Sequence, residues 1–254
     1  MATYRKKSIK SRSKNSENSI SESTTAEVFD SLDVGASKTE LIVSKYQNYI
    51  ISLVVIAVFS VLGYLGYQNF ILQPKSEEAN NELFTAQNYF NLALTNNENK
   101  DSLFILSLNG SEGKYGFLDI IENYEGTAAA KLATYSAGMS YLNIKDYQNA
   151  VTYLDQFNSE DVLLGALAKG AIGDAFAQMD KPEKALDYYI AAFNINNNVY
   201  STPKFLYKAA MIGFKLGKNK QAIAYLERIK KEFKESREAN MVSVQIAKIK
   251  SIID

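Results

Sequence analysis

One stretch of the sequence limits the possible folds more than any other: IISLVVIAVFSVLGYLGY, at residues 50–67. Eleven of these eighteen residues are Ile, Leu, Val or Phe, and no charged side chain occurs between Lys45 and Lys75. A transmembrane helix needs about 20 mostly apolar residues to cross a hydrocarbon core of about 30 Å. The stretch therefore predicts one membrane-spanning helix. A cleaved signal peptide is disfavoured, because a long segment precedes the stretch and no A-x-A site follows it.

The residues at the ends of the predicted span support this interpretation. Aromatic side chains are enriched at membrane interfaces, and they flank both ends here: Tyr46 and Tyr49 on one side, and Tyr64, Tyr67 and Phe70 on the other. Pro74 predicts an end or a kink of the helix. Small residues along part of one helix face would let another transmembrane helix approach closely; they are Ser60, Gly63 and Gly66.

The charges on either side of the span predict its orientation. Six bases precede the first acid, Glu17, whereas three acids follow closely after Lys75. Because basic flanks remain in the cytoplasm, we expect the N-terminus inside and residues 75–254 on the far side of the membrane. Nucleic-acid binding by the basic tail is the alternative, but the topology explains the bases without a further assumption.

The residues before the span divide into two segments. Residues 1–36 form a basic cytoplasmic tail, rich in Ser, Lys and Asn, that we expect to be disordered up to about Thr24. Two possible capping boxes follow, TTAE at 24–27 and SKTE at 37–40. The first predicts either a short helix with a small apolar patch or a frayed turn. Residues 37–74 are expected to form the transmembrane helix with a cytoplasmic extension.

Three missing residue types exclude several classes of site. The chain contains no Cys, no His and no Trp. Disulfides, His- or Cys-based metal sites and Ser-His-Asp or Cys-His nucleophiles are therefore excluded. Asp119 and Glu122 lie one helical turn apart, but a solvated helix face explains them better than acid–base catalysis. We predict no enzyme, no catalytic or metal-binding residue, no cofactor, no small-molecule substrate and no nucleic-acid partner.

Internal repetition is the main feature of the exported part. Three stretches share a small residue, an aromatic residue or Gly three positions later, an Ala at position twelve and a large residue four positions after that. The matching sets are Gly138, Tyr141, Ala150 and Leu154; Gly173, Phe176, Ala185 and Tyr189; and Ala210, Gly213, Ala222 and Leu226. Small residues on two successive helices permit close packing of a helix hairpin, and such hairpins stack to bury their faces.

This pattern resembles the tetratricopeptide repeat (TPR), whose usual period is 34 residues. The match is stronger in the first two repeats than in the third, where Ala210 and Gly213 replace the usual glycine and aromatic residue. We therefore predict an all-α fold, in which a single N-terminal transmembrane helix is followed by a TPR-type α-solenoid. Residues 128–235 would form three repeats, and 236–254 a C-terminal capping helix.

Residues 75–127 are expected to form a degenerate helical hairpin. One helix should cover about 77–94 and another about 115–124, with DSLFILSLNGSEGKYG between them. The three glycines of this connecting segment do not have the spacing of a phosphate-binding loop.

The layout of the whole chain, a basic tail, one span and an exported TPR stack, resembles the bacterial single-span TPR proteins related to YfgM, the ancillary subunit of the SecYEG translocon. The stretch FLDIIENYEGTAAAKLATYSAGMSYLNIKDYQNAVTYLDQF is similar to that family's helices before and through the first repeat. The resemblance implies a chaperone-like scaffold of the bacterial inner membrane with a periplasmic C-terminal domain. The implied partners are SecYEG and a membrane-anchored prolyl isomerase. The alternative is an envelope-organising TPR protein that acts with cell-wall synthesis or division partners.

The resemblance also implies a binding groove, because the first helix of each TPR hairpin lines a concave surface. The first repeat would contribute Leu132, Tyr135, Met139, Leu142 and Asn143. The second would contribute Leu167, Gly170, Asp174, Ala177 and Gln178, and the third Lys204, Tyr207, Met211, Phe214 and Lys215. This mostly apolar and aromatic lining predicts weak binding of extended or helical apolar segments of other proteins. Packing of these side chains against the protein's own N-terminal hairpin or C-terminal helix is the alternative.

Overall fold

The computed structural model of the chain describes residues 24–96, 98–158 and 160–253, which contain helices and turns but no strand. The all-α prediction is thus confirmed for this part of the chain. The predicted disordered tail before Thr24 lies outside it. The helices are α1 Thr24–Tyr67, α2 Gln73–Thr95, α3 Lys100–Asn109, α4 Phe117–Asn123, α5 Ala128–Asn143, α6 Tyr147–Gln156, α7 Val162–Gln178, α8 Pro182–Ile195, α9 Thr202–Lys215, α10 Asn219–Glu232 and α11 Ala239–Ile253.

Helix α1 contains the predicted membrane span. It is long and apolar enough to cross a membrane, and its most apolar part is not buried. The structure describes this helix from Thr24 onward, so the helix start predicted by the first capping box stays a prediction. The helix passes through Ser37 without interruption, so the second box is not a helix start. A lone Gly35 weakens a helix by only about 1 kcal/mol, which does not end one of this length.

Pro74 does not end the helical path, contrary to one of the two expectations from the sequence. A π-helical turn, Gln68–Leu72, follows α1, and α2 begins directly after it at Gln73. In this wide turn the N–H of Gln73 donates to the carbonyl of Gln68, five residues back. Pro74 then stands in the first turn of α2, where a helix does not require a backbone N–H. The proline is therefore accommodated by a π-bulge, a common local distortion of helices.

Helices α2 to α5 share one hydrophobic core. Phe90 of α2 meets Phe104 and Phe117 edge-on, with ring centroids 5.5 and 6.0 Å apart. A buried hydrogen bond of 3.1 Å joins the hydroxyls of Ser107 in α3 and Ser140 in α5. The prediction of a simple two-helix hairpin was wrong here, because the expected connector forms α3. Phe104 and Leu108 of that helix are buried, which supplies the free energy that orders it.

Three hairpins, α5–α6, α7–α8 and α9–α10, follow in sequence and α11 packs against α10. The predicted register is confirmed, since Ala150, Ala185 and Ala222 are fully buried. The small residues lie where helices approach: a Cβ added at Gly138 would be 2.5 Å from Leu154 Cγ. Val242 and Ile249 anchor α11 with no exposed surface, and the other face of that helix is exposed.

Candidate protein-binding groove

The predicted groove residues all lie on α5, α7 and α9, the first helices of the three hairpins. Five of them meet at one cavity of about 480 Å³. Helix α5 supplies two of these residues and α7 three, and four further side chains complete the wall. The lining is Leu142, Asn143, Lys145, Tyr147, Asp174, Ala177, Gln178, Tyr189 and Lys208. The predicted residues of α5 and α7 thus meet at this cavity. None of the predicted residues of α9 lines it, and α9 contributes only Lys208.

The other predicted lining residues differ in exposure. Leu132, Lys204 and Lys215 are exposed. The remaining members of the set are half-buried and contact the hydrophobic core: Tyr135, Met139, Leu167, Tyr207, Met211 and Phe214. Tyr135, for example, lies 5.2 Å from Phe157 between ring centroids. These side chains therefore stabilise the stack with one part of their surface and leave the other part accessible.

Gly170 was predicted as a lining residue, and this prediction was wrong. It is buried beneath the ring of Phe205, and a Cβ added there would lie 1.9 Å from Phe205 Cε1. Because Gly170 has no side chain, the ring of Phe205 in α9 lies directly on the backbone of α7. The same ring stacks on Tyr189, with centroids 6.4 Å apart and planes inclined by 15°. Gly170 therefore fixes the position of α9 and of the tyrosine that lines the cavity.

A polar cluster forms one wall of the cavity. The Lys208 ammonium donates to both oxygens of Asp174, at 2.5 and 2.7 Å, and the Tyr189 hydroxyl donates to Asp174 Oδ1 at 2.7 Å. The ammonium also lies 5.7 Å from the centroid of the Tyr189 ring, in cation–π range. The prediction of a mostly apolar lining is thus wrong at this cavity, where a paired carboxylate joins α7, α8 and α9.

The environment of this cluster changes the acidity of its tyrosine. Burial raises the pKa of Tyr189 far above its ordinary value, and the negative charge of Asp174 and the hydrogen bond to it raise it further. Burial also raises the pKa of Tyr135. Both hydroxyls therefore remain protonated donors at neutral pH, and neither is activated as a nucleophile or a base.

Lys208 was missed by the sequence reasoning although a signal for it existed. It lies four residues after Lys204 and three before Met211, so it shares their helix face. The periodicity of the first helices could not identify Tyr189, because this residue belongs to α8, the second helix of its hairpin. Its ring stacks on Phe205 and lines the cavity. A second ion pair, Lys215 with Asp180 at 2.8 Å, joins α9 to the turn after α7.

The arrangement is suited to binding. Among the residues that the structure describes, no cluster of acidic side chains could hold a metal ion. Asp119, considered above as part of a carboxylate pair, accepts the backbone N–H of Gly116 at 3.0 Å and caps α4. The cavity combines apolar surface from Leu142 and Ala177 with amides from Asn143 and Gln178. Such mixed walls suit a polypeptide, which presents apolar side chains and backbone polar groups together.

The small residues of the span leave one part of the helix surface open. The Ser60 hydroxyl donates to the carbonyl of Ile56 at 2.8 Å, so its own helix satisfies it. A Cβ added at Gly63 or at Gly66 would meet no atom within 4 Å. Contact of these residues with another transmembrane helix stays a prediction.

Comparison with known proteins agrees with the repeat architecture. The sequence profile of the tetratricopeptide repeat family matches residues 133–161 and 205–236. These ranges cover most of α5–α6 and α9–α10, the first and third hairpins. The profile thus matches the third repeat, which the sequence pattern had indicated as the weakest, and does not match the second. No curated protein matches the chain. The chain contains tetratricopeptide repeats, and residues 128–253 have the fold of a TPR-type α-solenoid.

Proposed function

We propose that this protein is a membrane-anchored scaffold whose TPR groove binds segments of other proteins without catalysing a reaction. The observation that carries the proposal is the cavity between α5, α7 and α9, which is preformed and lined by both apolar and polar groups. All of its lining residues belong to the part of the sequence from Leu142 to Lys208, and α11 contributes none of them. A solenoid with an open first-helix face offers an extended surface to a partner.

The chemistry of the cavity indicates the kind of segment that it binds. Leu142 and Ala177 in the cavity wall suit apolar side chains. Gln178 and Asn143 supply amides for the backbone of the segment. The charge of Asp174 is already compensated by Lys208, so it gives little attraction to a charged ligand. We therefore expect only a modest effect of salt on binding. We also expect a Kd of about micromolar or weaker, because the entropy lost when the segment becomes ordered offsets most of the free energy gained by burying apolar surface.

The proposed setting is the bacterial inner membrane, with the repeats in the periplasm. Its support is the predicted orientation of the span and the resemblance to the YfgM-like single-span proteins. We propose SecYEG and a membrane-anchored prolyl isomerase as partners on that resemblance. Affinity purification of the full chain in mild detergent checks this: recovery of SecY supports the translocon, and recovery of division proteins in its place supports the envelope-organising alternative.

Blocking the cavity tests the groove itself. The probe is a synthetic apolar peptide with one tryptophan, titrated against the full chain in neutral detergent, because the chain contains no Trp and the fluorescence reports the peptide alone. Gln178→Phe places a ring at an exposed position of the cavity wall and should weaken binding at least about fivefold without lowering the melting temperature. The matched control is Gln148→Phe, on the exposed face of α6. Equal affinities of the two variants would refute the groove.

Truncation of the half-buried residues separates binding from packing. The variants are Tyr135→Ala, Met139→Ala and Tyr207→Ala, each compared with the wild type for peptide affinity and for melting temperature. A groove that binds through their accessible surface loses affinity in all three. If stability falls while affinity stays the same, these side chains belong to the core only.

A further inference from the structure

A second concave surface lies where the connector between the second and third hairpins meets the end of α10. The connector between α8 and α9 and the turn between α10 and α11 enclose a recess of about 570 Å³. We name it the connector recess. It is lined by Val199, Tyr200, Lys231, Glu232, Phe233, Lys234, Glu235 and Ser236. None of these residues belongs to the groove described above.

The connector that forms one wall is fixed by hydrogen bonds. The side-chain carbonyl of Asn198 accepts the N–H groups of Tyr200 and Ser201, at 2.9 and 2.8 Å, and its amide donates to the Ser201 hydroxyl at 2.7 Å. The N–H of Asn198 donates to Thr202 Oγ1 at 2.9 Å. Ser201 and Thr202 are buried, and the three bonds that involve them are partly buried, whereas the bond from the Tyr200 N–H is exposed. The backbone that carries Val199 and Tyr200 is thus held in one conformation.

This fixed connector presents two apolar side chains to solvent. Val199 is 66% exposed and Tyr200 is 79% exposed, whereas Phe233 at the base of the recess is 7% exposed. Folding of the described part of the chain does not bury Val199 or Tyr200, so internal packing does not explain them. A tyrosine on a fixed backbone beside an apolar recess is typical of an anchor in a protein interface, because little backbone entropy is lost when it binds.

Charge complementarity identifies the occupant. Residues 204–254 carry twelve Lys and Arg against five Asp and Glu, a net charge of +7, whereas residues 75–203 carry eight against seventeen, a net charge of −9. On the rim of the recess, Lys231 and Lys234 are exposed and take part in none of the ion pairs of the described residues. Glu232 is paired with Arg228 at 3.0 Å, which leaves Glu235 as the uncompensated acid of the rim.

We propose that the connector recess binds an acidic segment of a partner protein, which inserts one aromatic or large aliphatic side chain between Tyr200 and Phe233. Carboxylates on either side of that anchor pair with Lys231 and Lys234. The net positive charge of residues 204–254 attracts such a segment and speeds its association. This site acts independently of the groove between α5, α7 and α9.

The test uses two synthetic peptides with one tryptophan each, titrated against the full chain in neutral detergent. In one peptide Asp and Glu surround the tryptophan, and in the other Lys replaces every acid. We expect the acidic peptide to bind at least about tenfold more tightly, and its affinity to fall as salt is added. Equal affinity for the two peptides would overturn the proposal.

Variants locate the binding. Tyr200→Ala should weaken binding of the acidic peptide about tenfold, and the double variant Lys231→Glu/Lys234→Glu to a similar degree. The matched control is Lys131→Glu/Lys181→Glu, two exposed lysines outside the recess, and the groove variant Gln178→Phe is a further control. Both controls should bind as the wild type does. Tyr200→Ala alters an exposed side chain, so this variant should fold. If it binds the acidic peptide with wild-type affinity, the proposal is wrong.

Self-association is the competing outcome. The acidic part of a second copy could occupy the recess, and sedimentation of the full chain would then show salt-sensitive oligomers that Lys231→Glu/Lys234→Glu abolishes. Such oligomers, together with failure to bind the acidic peptide, would overturn the proposal of a partner protein.

Discussion

Asp174 and Lys208 are 34 residues apart in sequence, and their side chains form an ion pair in which Lys208 Nζ lies 2.7 Å from Asp174 Oδ2. The pair joins the first helix of the second repeat to the first helix of the third. Tyr189, from the helix between them in sequence, donates to the same carboxylate. One acidic side chain therefore connects three helices at the wall of the candidate groove.

Asp174 should matter more to stability than Lys208. Asp174→Ala leaves both the Lys208 ammonium and the Tyr189 hydroxyl without their acceptor at a site only about one-third exposed, and we expect a loss of roughly 1–2 kcal/mol. Lys208→Ala should cost about half as much. The measurement is thermal unfolding of both single variants and the double variant, with a coupling energy of roughly 1 kcal/mol that decreases with salt. Strictly additive effects would show that the pair contributes nothing.

Close helix contacts predict which small residues cannot be enlarged. Ala185→Leu and Gly138→Leu add bulk where two helices meet, and each should destabilise the protein by roughly 1–3 kcal/mol through overpacking. The melting temperature of the full chain in detergent checks this. Lys220→Leu, at an exposed position of α10, is the control and should leave it nearly unchanged. A normal melting temperature for Ala185→Leu would contradict the packing described here.

Gly170 and Phe205 should show compensation. Gly170→Ala places a methyl group where the Phe205 ring now lies, 1.9 Å away, and should lower stability and disturb the cavity wall through Tyr189. Phe205→Leu alone removes buried aromatic surface and should also destabilise. In the double variant the smaller side chain makes room for the methyl group, so the loss should be smaller than the sum of the single losses. A larger-than-additive loss would show that the two residues do not share this space.

Tyr189 predicts how stability depends on pH in the alkaline range. Its pKa is raised in the folded state above the ordinary value of 10.0, so above that pH the folded chain binds more protons than the unfolded chain. The free energy of unfolding then falls as pH rises, by up to about 1.4 kcal/mol per pH unit for this group. Tyr189→Phe should be less stable at neutral pH, by about 1 kcal/mol, and should lose stability less steeply above pH 10. Identical alkaline slopes for variant and wild type would argue against this role.

The orientation of the span can be measured with fusions. A reporter that is active only outside the cytoplasm should be active after Asp254 and inactive at Met1, because the six bases before Glu17 hold the N-terminus inside. Replacing those bases with serine should reduce the fraction of chains in this orientation. Reversed reporter activities would overturn the proposed location of the repeats.

Some features follow from the sequence because they depend on local pattern and spacing. The uncharged stretch at 50–67 defines the candidate span, and the recurrence of Ala150, Ala185 and Ala222 defines three hairpins, since a small side chain is required wherever two helix backbones approach. The periodicity of the first helix of each hairpin predicted that Asn143 and Asp174 share one surface, and both line one cavity. These inferences needed only helical geometry and the period of the repeat.

Other features depend on contacts between distant residues, and only the tertiary structure decided them. Helix α3 forms because Phe104 and Leu108 enter a core built by α2, α4 and α5, and nothing in its own ten residues reveals those neighbours. Gly170 is covered rather than open because the ring of Phe205 lies on it. Whether a polar residue on a groove-facing helix is free or paired depends on which side chain the next repeat places opposite it. For Asp174 that partner is Lys208, and the distance between them is set by packing that the sequence pattern does not encode.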